Sequence, residues 1–159
     1  MKKGLPREAK EGELVAIDIE MYGQDRSRLH RPHGSFACIS ISFGPRETYL
    51  VEDLPDMRRS LRRIQRGEWV LQNAAYDIRQ LRAFVDIPQR PVWDTMLVEQ
   101  GLFSGWYEDF ALEHLARRWL NLILPKDERS NFGKRSTMTE EMRRYAARDA
   151  YIKIGRAHV

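Results

Sequence analysis

Val15-Ala16-Ile17-Asp18-Ile19-Glu20 decides how the rest of the chain is read. Four of its six residues are apolar and none breaks extended backbone, so the run reads as a buried strand. Asp18 and Glu20 interrupt it two positions apart. Side chains alternate across a strand, which puts both acids on one face. Two anions side by side on a core strand repel each other and lose hydration; bound divalent cations compensate for both. The same D-x-E pattern arises where a strand runs out into a loop and both acids are solvated. By itself it does not separate these two cases.

On either side of this run, residues 1–13 read as a polar lead-in and Leu14–Glu20 as the first strand. Met21–His33 is a loop rich in Arg, Gly and His. Its Arg26, Arg28 and Arg31 could touch a phosphate backbone, but the plainer reading is a solvated loop. Ser35–Phe43 alternates as a strand, closed by a Gly44-Pro45 turn, and Glu47–Val51 returns, giving an antiparallel meander. Asp53–Gln65 is a helix opened by Leu54-Pro55 and stopped by Gly67. Trp69–Gln72 is a short buried strand, Ala74–Val85 a helix and Val92-Trp93 a strand. Asp94 caps a helix over Thr95–Leu102. Another amphipathic helix spans Phe110–Leu120. A loop over residues 121–137 carries Pro125, Lys126 and Gly133, and Thr139 caps a last helix through Tyr145 and Asp149. This order predicts an α/β fold with a mixed sheet in one domain, residues 1–159.

The 159 residues suffice for one sizeable core, and 42% hydrophobic with 31% charged residues is ordinary for a globular domain. Lys and Arg number 27 against 23 Asp and Glu, a net charge of +4, which permits a polyanionic partner without demanding one. Cys38 is the only cysteine, which excludes an intrachain disulfide and a cysteine-based zinc site. A reducing, cytoplasmic setting is the default expectation. No apolar run approaches membrane-spanning length, and Met1–Lys10 lacks the apolar segment of a secretory signal. Ile154-Gly155-Arg156-Ala157-His158-Val159 matches the in-frame translation of a common sequencing adapter. These six residues are set aside from functional reasoning, His158 included, and the last helix is expected to be cut short there.

Two further acids carry chemistry. Asn73 and Asp77 lie four apart where a short strand meets a helix, so they share a helical face. An N-cap with a first-turn acid explains the residue types equally well, but not a third carboxylate at the end of a buried strand. Tyr145 and Asp149 are also four apart, with Ala146, Ala147 and Ala150 leaving space around them. An amphipathic helix with a partly buried tyrosine is the plainer alternative. His30, His33 and His114 have no ligand spacing. Phe43, Trp93, Phe103 and Trp106 read as core or surface patches ahead of base-stacking platforms.

With Asp18, Glu20, Asp77 and Asp149 in this order, Asn73 before the third and Tyr145 before the fourth, the chain resembles the DEDD superfamily of 3′→5′ exonucleases, in its DEDDy subgroup. It is similar to the proofreading domain of bacterial family A DNA polymerases, and to ribonuclease D and Werner-type exonucleases. The resemblance covers residues 12–153 and includes Trp93-Asp94-Thr95-Met96-Leu97 and the segment from Leu112 to Leu120. It implies a ribonuclease-H-like fold, a mixed β-sheet flanked by α-helices, and a two-metal mechanism. Asp18, Glu20, Asp77 and Asp149 would hold two divalent ions, Mg²⁺ or Mn²⁺, and Tyr145 would orient the attacking water. Asn73 and Tyr76 would contact the terminal nucleotide. Met21 stands where the family often has Thr, so only its backbone N–H is left to meet the terminal sugar. Tyr145 excludes the subgroup with His at that position. Without metal, the clustered carboxylates should raise one another's pKa values. The implied activity is metal-dependent release of nucleoside 5′-monophosphates from a single-stranded 3′ end, DNA ahead of RNA. A monomer is expected, free-standing or part of a longer polymerase chain, with no membrane partner. The alternatives are an inactive nucleic-acid-binding or partner-binding module with the same fold, and ribonuclease D-like trimming of RNA 3′ ends.

Overall fold

A computed structural model describes residues 1–23, 34–87, 89–124, 132 and 137–157. Arg26, Arg28, His30, Arg31, His33, Pro125, Lys126, Gly133 and His158 lie outside the described residues. Six strands form one mixed sheet: β1 (Lys2–Lys3), β2 (Leu14–Tyr22), β3 (Ser35–Ser42), β4 (Thr48–Val51), β5 (Glu68–Leu71) and β6 (Val92–Asp94), in the order β1-β4-β3-β2-β5-β6. β2, β3 and β4 are the expected antiparallel meander, while β5 joins β2, and β6 joins β5, in parallel. Around the sheet lie α1 (Leu54–Arg63), α2 (Ala74–Arg82), α3 (Thr95–Phe103), α4 (Leu112–Leu120) and α5 (Glu140–Ala157). The α/β class expected from the sequence is the one observed.

Strand alternation sorts β2 between two cores. Val15, Ile17, Ile19 and Met21, all at most 2% exposed, join Met57, Leu61 and Ile64 of the α1 segment, with Trp69, Leu71, Leu81 and Ile87, in the larger cluster. Burying each such side chain stabilises the fold by about 1.5–3 kcal/mol. The even positions of β2 face the other way. There α5 crosses the sheet, burying Met142 and Ala146 against Cys38 and Leu50, and Ile154 against Ala16 and Val70. α5 starts where Thr139 accepts from the Met142 N–H (3.2 Å), as expected. It runs to Ala157, beyond Lys153, because positions 146, 150 and 154 continue one sheet-facing stripe. Position 154 is therefore a core position in the fold.

The lead-in is more ordered than its polarity suggests. Lys2 and Lys3 pair with Tyr49 and Leu50, and Ala9 is buried in the larger core. Arg7 clamps this segment: its guanidinium donates to Glu13 (2.6 and 2.8 Å) and Glu47 (3.2 Å), and covers the Phe43 ring at 4.0 Å. The expected stop after α1 is also a packing requirement. A Cβ on Gly67 would lie 2.7 Å from Val15 Cγ2 and 2.8 Å from the Glu13 carbonyl, so no larger residue fits without movement.

The hydrogen-bonded Arg7 guanidinium holds the Glu13 carboxyl at about 2, below its ordinary 4.5. A depressed carboxyl contributes stability above its unfolded pKa and loses it as pH falls through the folded one. Unfolding free energy should therefore drop as pH falls from about 4.5 to about 2. Glu13→Gln should start lower at neutral pH and show a shallower drop over that window, measured by urea denaturation at a series of pH values.

Candidate active site

β2 runs past the end of its pairing with β5, which stops at Ala16↔Val70. The edge of β2 beyond that point is taken up by α2: the Ile19 N–H donates to Asp77 Oδ1 (3.2 Å). On the other edge, the β2–β3 register shifts between Glu20 and Met21, a bulge that ends the run of acids. Asp18 and Glu20 thus sit on a twisted, partly released stretch of a central strand, at the carboxyl ends of β5 and β6. In open α/β sheets such carboxyl ends line the ligand crevice.

A cleft of about 210 Å³ opens there, lined by Asp18, Glu20, Asp77, Tyr145 and Asp149 together with Asn73, Tyr76 and Lys153. A wider groove of about 800 Å³ lies at the opposite strand ends, between Gly67 and Trp93. It gathers no comparable set of acids, so the smaller cleft is the candidate site. Of the eight residues singled out from the sequence, seven line it. Met21 does not: its side chain is fully buried in the core on the other face of β2.

Asp94 anchors the helix starts that carry the cleft residues. Its carboxylate caps α3, as expected, accepting from Met96 N (3.0 Å) and Leu97 N (3.4 Å). It also accepts from Asn73 N (3.0 Å) and Ala74 N (2.8 Å), and so caps α2 as well. Asn73 stands at the cap position of α2 in a left-handed conformation (φ 59°) and makes no capping bond with its side chain. That geometry costs strain in any residue but glycine, least in Asn or Asp. With Asp94 doing the capping, the Asn73 side chain is left to line the cleft. Gln72 extends the framework, donating to the Phe110 carbonyl (2.8 Å) beside Ala111 and Leu112 on the far wall.

Asp77, Glu20 and Asp149 are 3%, 7% and 9% exposed, burial that an unpaired carboxylate does not tolerate. Burial first, and the Asp18 charge second, push the Asp149 carboxyl up to about 7 against the opposing pull of Lys153, the Tyr145 hydroxyl and Arg148. Mutual repulsion among the acids is therefore real at Asp149 but secondary to desolvation. The Tyr145 hydroxyl is hydrogen-bonded to Asp149, the i to i+4 contact the sequence spacing predicts.

Lys153 escaped the sequence reading. Its ammonium is buried in the site, 2.5 Å from Asp18 Oδ1, 3.1 Å from the Ile17 carbonyl and 4.0 Å from Asp77 Oδ1. Burial pulls its pKa down, but Asp18 and Asp77 outweigh burial and hold it above its ordinary value. The signal was present: Lys153 follows Asp149 by four and Tyr145 by eight, on one helical face.

Asp18 Oδ2 and Asp149 Oδ1 are buried with no hydrogen-bond partner among the described residues. Asp149 Oδ1 has an ion-pair neighbour in Arg148 Nε at 3.8 Å. Hard carboxylate oxygens are the donors that Mg²⁺ and Mn²⁺ take, so the donor set fits such ions. As the side chains now lie, no group of three acids among the described residues could hold a metal ion. The Lys153 ammonium is what presently balances Asp18.

Against this geometry the comparisons with known proteins are direct. The 3′-5′ exonuclease family profile matches residues 3–155, and the chain belongs to that family. No curated protein matches it by sequence. Among solved structures, Brucella melitensis NrnC bound to pGG superposes with a TM-score of 0.72 at 18% identity, covering 100% of this chain and 79% of that one. Escherichia coli RNase D gives 0.70 at 19%, covering 92% and 38%, and the catalytic core of Trypanosoma brucei RRP6 gives 0.69 at 17%, covering 92% and 39%. The chain thus spans about two fifths of those two proteins. These likenesses share its ribonuclease-H-like α/β fold. Among the described residues, no helix is long and apolar enough to cross a membrane.

Asp94→Ala would leave four backbone N–H groups at two helix starts without their acceptor. Two lost caps should lower stability by roughly 2–4 kcal/mol, at about 1–2 kcal/mol each, read by denaturant unfolding. Asp94→Asn, which keeps an acceptor oxygen, should lose less than half as much.

Proposed function

We propose that this cleft hydrolyses the 3′-terminal phosphodiester of a single strand, DNA ahead of RNA, and releases nucleoside 5′-monophosphates. One observation carries the reading: Asp18 and Glu20 from β2, Asp77 from α2, and Tyr145 and Asp149 from α5 line one cleft. Two divalent cations, Mg²⁺ or Mn²⁺, held by the four carboxylates, would supply a water of lowered pKa and offset charge on the leaving 3′ oxygen. Tyr145, tied to Asp149, orients the attacking water. Free phenols titrate near about 10, too high for an efficient general base at neutral pH, so its task is positioning. The new bond joins the water oxygen to phosphorus, the bond from phosphorus to the 3′ oxygen breaks, and that oxygen takes up a proton. Asn73 and Tyr76, at the start of α2, hold the terminal nucleotide. The Met21 backbone N–H, at the bulge after Glu20, is assigned to the terminal sugar.

A second reading, trimming of RNA 3′ ends, is favoured by the fold likeness to RNase D, described as an exoribonuclease involved in structured RNA processing. An inactive binding module is disfavoured because no acid of the set is replaced.

A 5′-labelled single-stranded DNA, run beside the matching RNA, tests the reading. With Mg²⁺ or Mn²⁺ the label should fall in a ladder from the 3′ end, DNA faster than RNA, and EDTA should stop it. Asp18→Ala and Asp149→Ala should each lower the rate by at least roughly 10²–10³-fold. Tyr145→Phe should cost about 100-fold. Hydrolysis unchanged in both aspartate variants would sink the assignment.

A further inference from the structure

The side of α1 turned away from the larger core is dominated by arginine. Arg58, Arg59, Arg62 and Arg63, with Arg66 just beyond the helix, are all exposed, against one acid in α1, Asp56. Residues 54–66 thus carry a net charge of +4, equal to that of the whole chain. Arg58 and Arg62 stand four apart on the helix, as do Arg59 and Arg63, and like charges at that spacing repel and destabilise it. Arg59 is relieved by Asp56, Arg58 by the Phe84 carbonyl and Arg63 by the Pro6 carbonyl. The Arg62 and Arg66 side chains have no hydrogen bond or ion pair among the described residues. The fold gains nothing from this crowding, whereas a bound polyanion relieves it.

The arginine face borders two connected depressions. A hollow of about 90 Å³ is lined by Arg58, Arg62 and Arg90, with Asp86. It shares Gln65 and Arg90 with the groove of about 800 Å³ at the strand ends opposite the cleft, where Arg66 and Trp93 stand with Glu11 and Glu68. Arg90 is fixed at the junction: its guanidinium covers the Trp69 ring at 4.5 Å and donates to the carbonyls of Gln65 (2.9 Å) and Gly67. Trp93, 49% exposed, offers an aromatic face. Cations along a groove with an exposed aromatic ring suit an unpaired nucleic-acid strand, whose phosphates take the charges while a base stacks on the ring. Without metal, the acids of the cleft repel a phosphate backbone, so attraction for the strand has to come from outside the cleft.

We propose that the arginine face of α1, with the groove it borders, is a second binding site for single-stranded nucleic acid and holds the strand upstream of its 3′ end. The inference deepens the exonuclease reading of the cleft and rests on it for the direction of the strand. Leu14 pairs with Glu68 at the groove end of β2, and Glu20 lies further along the same strand, about 20 Å away at ~3.3 Å per residue. A strand occupying both sites must span that distance, and a dinucleotide reaches only one of them.

Arg62→Glu with Arg66→Glu tests the site. Arg46→Glu with Arg117→Glu, at two exposed arginines outside it, changes the net charge by the same amount. The melting temperature should not fall in the first pair, because the change removes repulsion within α1. Binding of a fluorescent single-stranded DNA of about 20 nucleotides, longer than the ~4–16 that one binding fold covers, is followed by anisotropy in EDTA. The expected result is binding at least roughly tenfold weaker in the first pair and less than about threefold weaker in the second, with the log–log salt slope of the first pair shallower by about 1.4 for two lost phosphate contacts. With Mg²⁺, the first pair should raise KM for this DNA and hydrolyse a dinucleotide at the unaltered rate. Equal losses in the two pairs, or no loss in the first, would overturn the site. Polyglutamate binding as tight as that of the DNA would also overturn it, by marking a general anion surface. Weaker binding in the first pair alone, with no metal-dependent hydrolysis by any of the three chains, would uphold the site and overturn only the exonuclease reading.

Discussion

Burying several carboxylates beside one central strand constrains everything built around them. Asp18 and Glu20 cannot be solvated as loop acids, because α5 lies across their face of the sheet and β3 flanks them. Asp77 and Asp149 bring two more anions to the same cleft from α2 and α5. Unrelieved, such a cluster opposes folding through desolvation and repulsion alike. Several contacts relieve it: Asp77 accepts a backbone N–H of β2, Lys153 brings a positive charge into contact with Asp18, Arg148 Nε lies 3.8 Å from Asp149 Oδ1, and burial raises the Asp149 pKa. These are the properties of a site prepared for cations and balanced by its own side chains.

The supporting framework explains how residues from distant segments are held in register. Asp94 accepts hydrogen bonds from the first N–H groups of both α2 and α3, so two helices share one anchor. Helix N-termini carry partial positive charge, which favours an anion at that point. Because Asp94 does the capping, Asn73 can hold a left-handed backbone and turn its side chain to the cleft. Gln72 and Phe110 carry the same framework to the opposite wall. A site on strand ends and helix starts is more rigid than one on loops, as a reaction dependent on sub-ångström positioning requires.

Much of this was legible in the chain itself. The strands β2, β3 and β5 announce themselves by alternating or continuous apolar runs, and the helices by spacing, the Leu54-Pro55 opening and caps at Asp94 and Thr139. Each acid motif alone had a plainer reading; the candidate site was legible only from Asp18, Glu20, Asp77 and Asp149 taken together with Asn73 and Tyr145, the set that carries the family resemblance. The lead-in was not. Its ordering depends on Arg7, whose partners Glu13 and Glu47 are close in space while one of them is 40 residues away in sequence. Asp94 was read as a cap for one helix because a cap is recognised from the helix just after it in the chain, whereas the second helix it caps begins 20 residues earlier.

Residue types, their order and their local periodicity belong to the chain alone: periodicity predicts the α/β fold, and Asp18, Glu20, Asp77 and Asp149, with Asn73 and Tyr145, carry the resemblance to the 3′→5′ exonucleases. Periodicity works because strand and helix geometry place neighbours on one face without reference to distant segments. Which buried charges meet is settled in three dimensions. Lys153 shares a helical face with Asp149, yet its ammonium lies on Asp18, 135 residues earlier. That pairing arises from how α5 crosses β2. The crossing is set by packing of Met142, Ala146 and Ile154 on the sheet, a property of shape complementarity between elements that no local pattern contains.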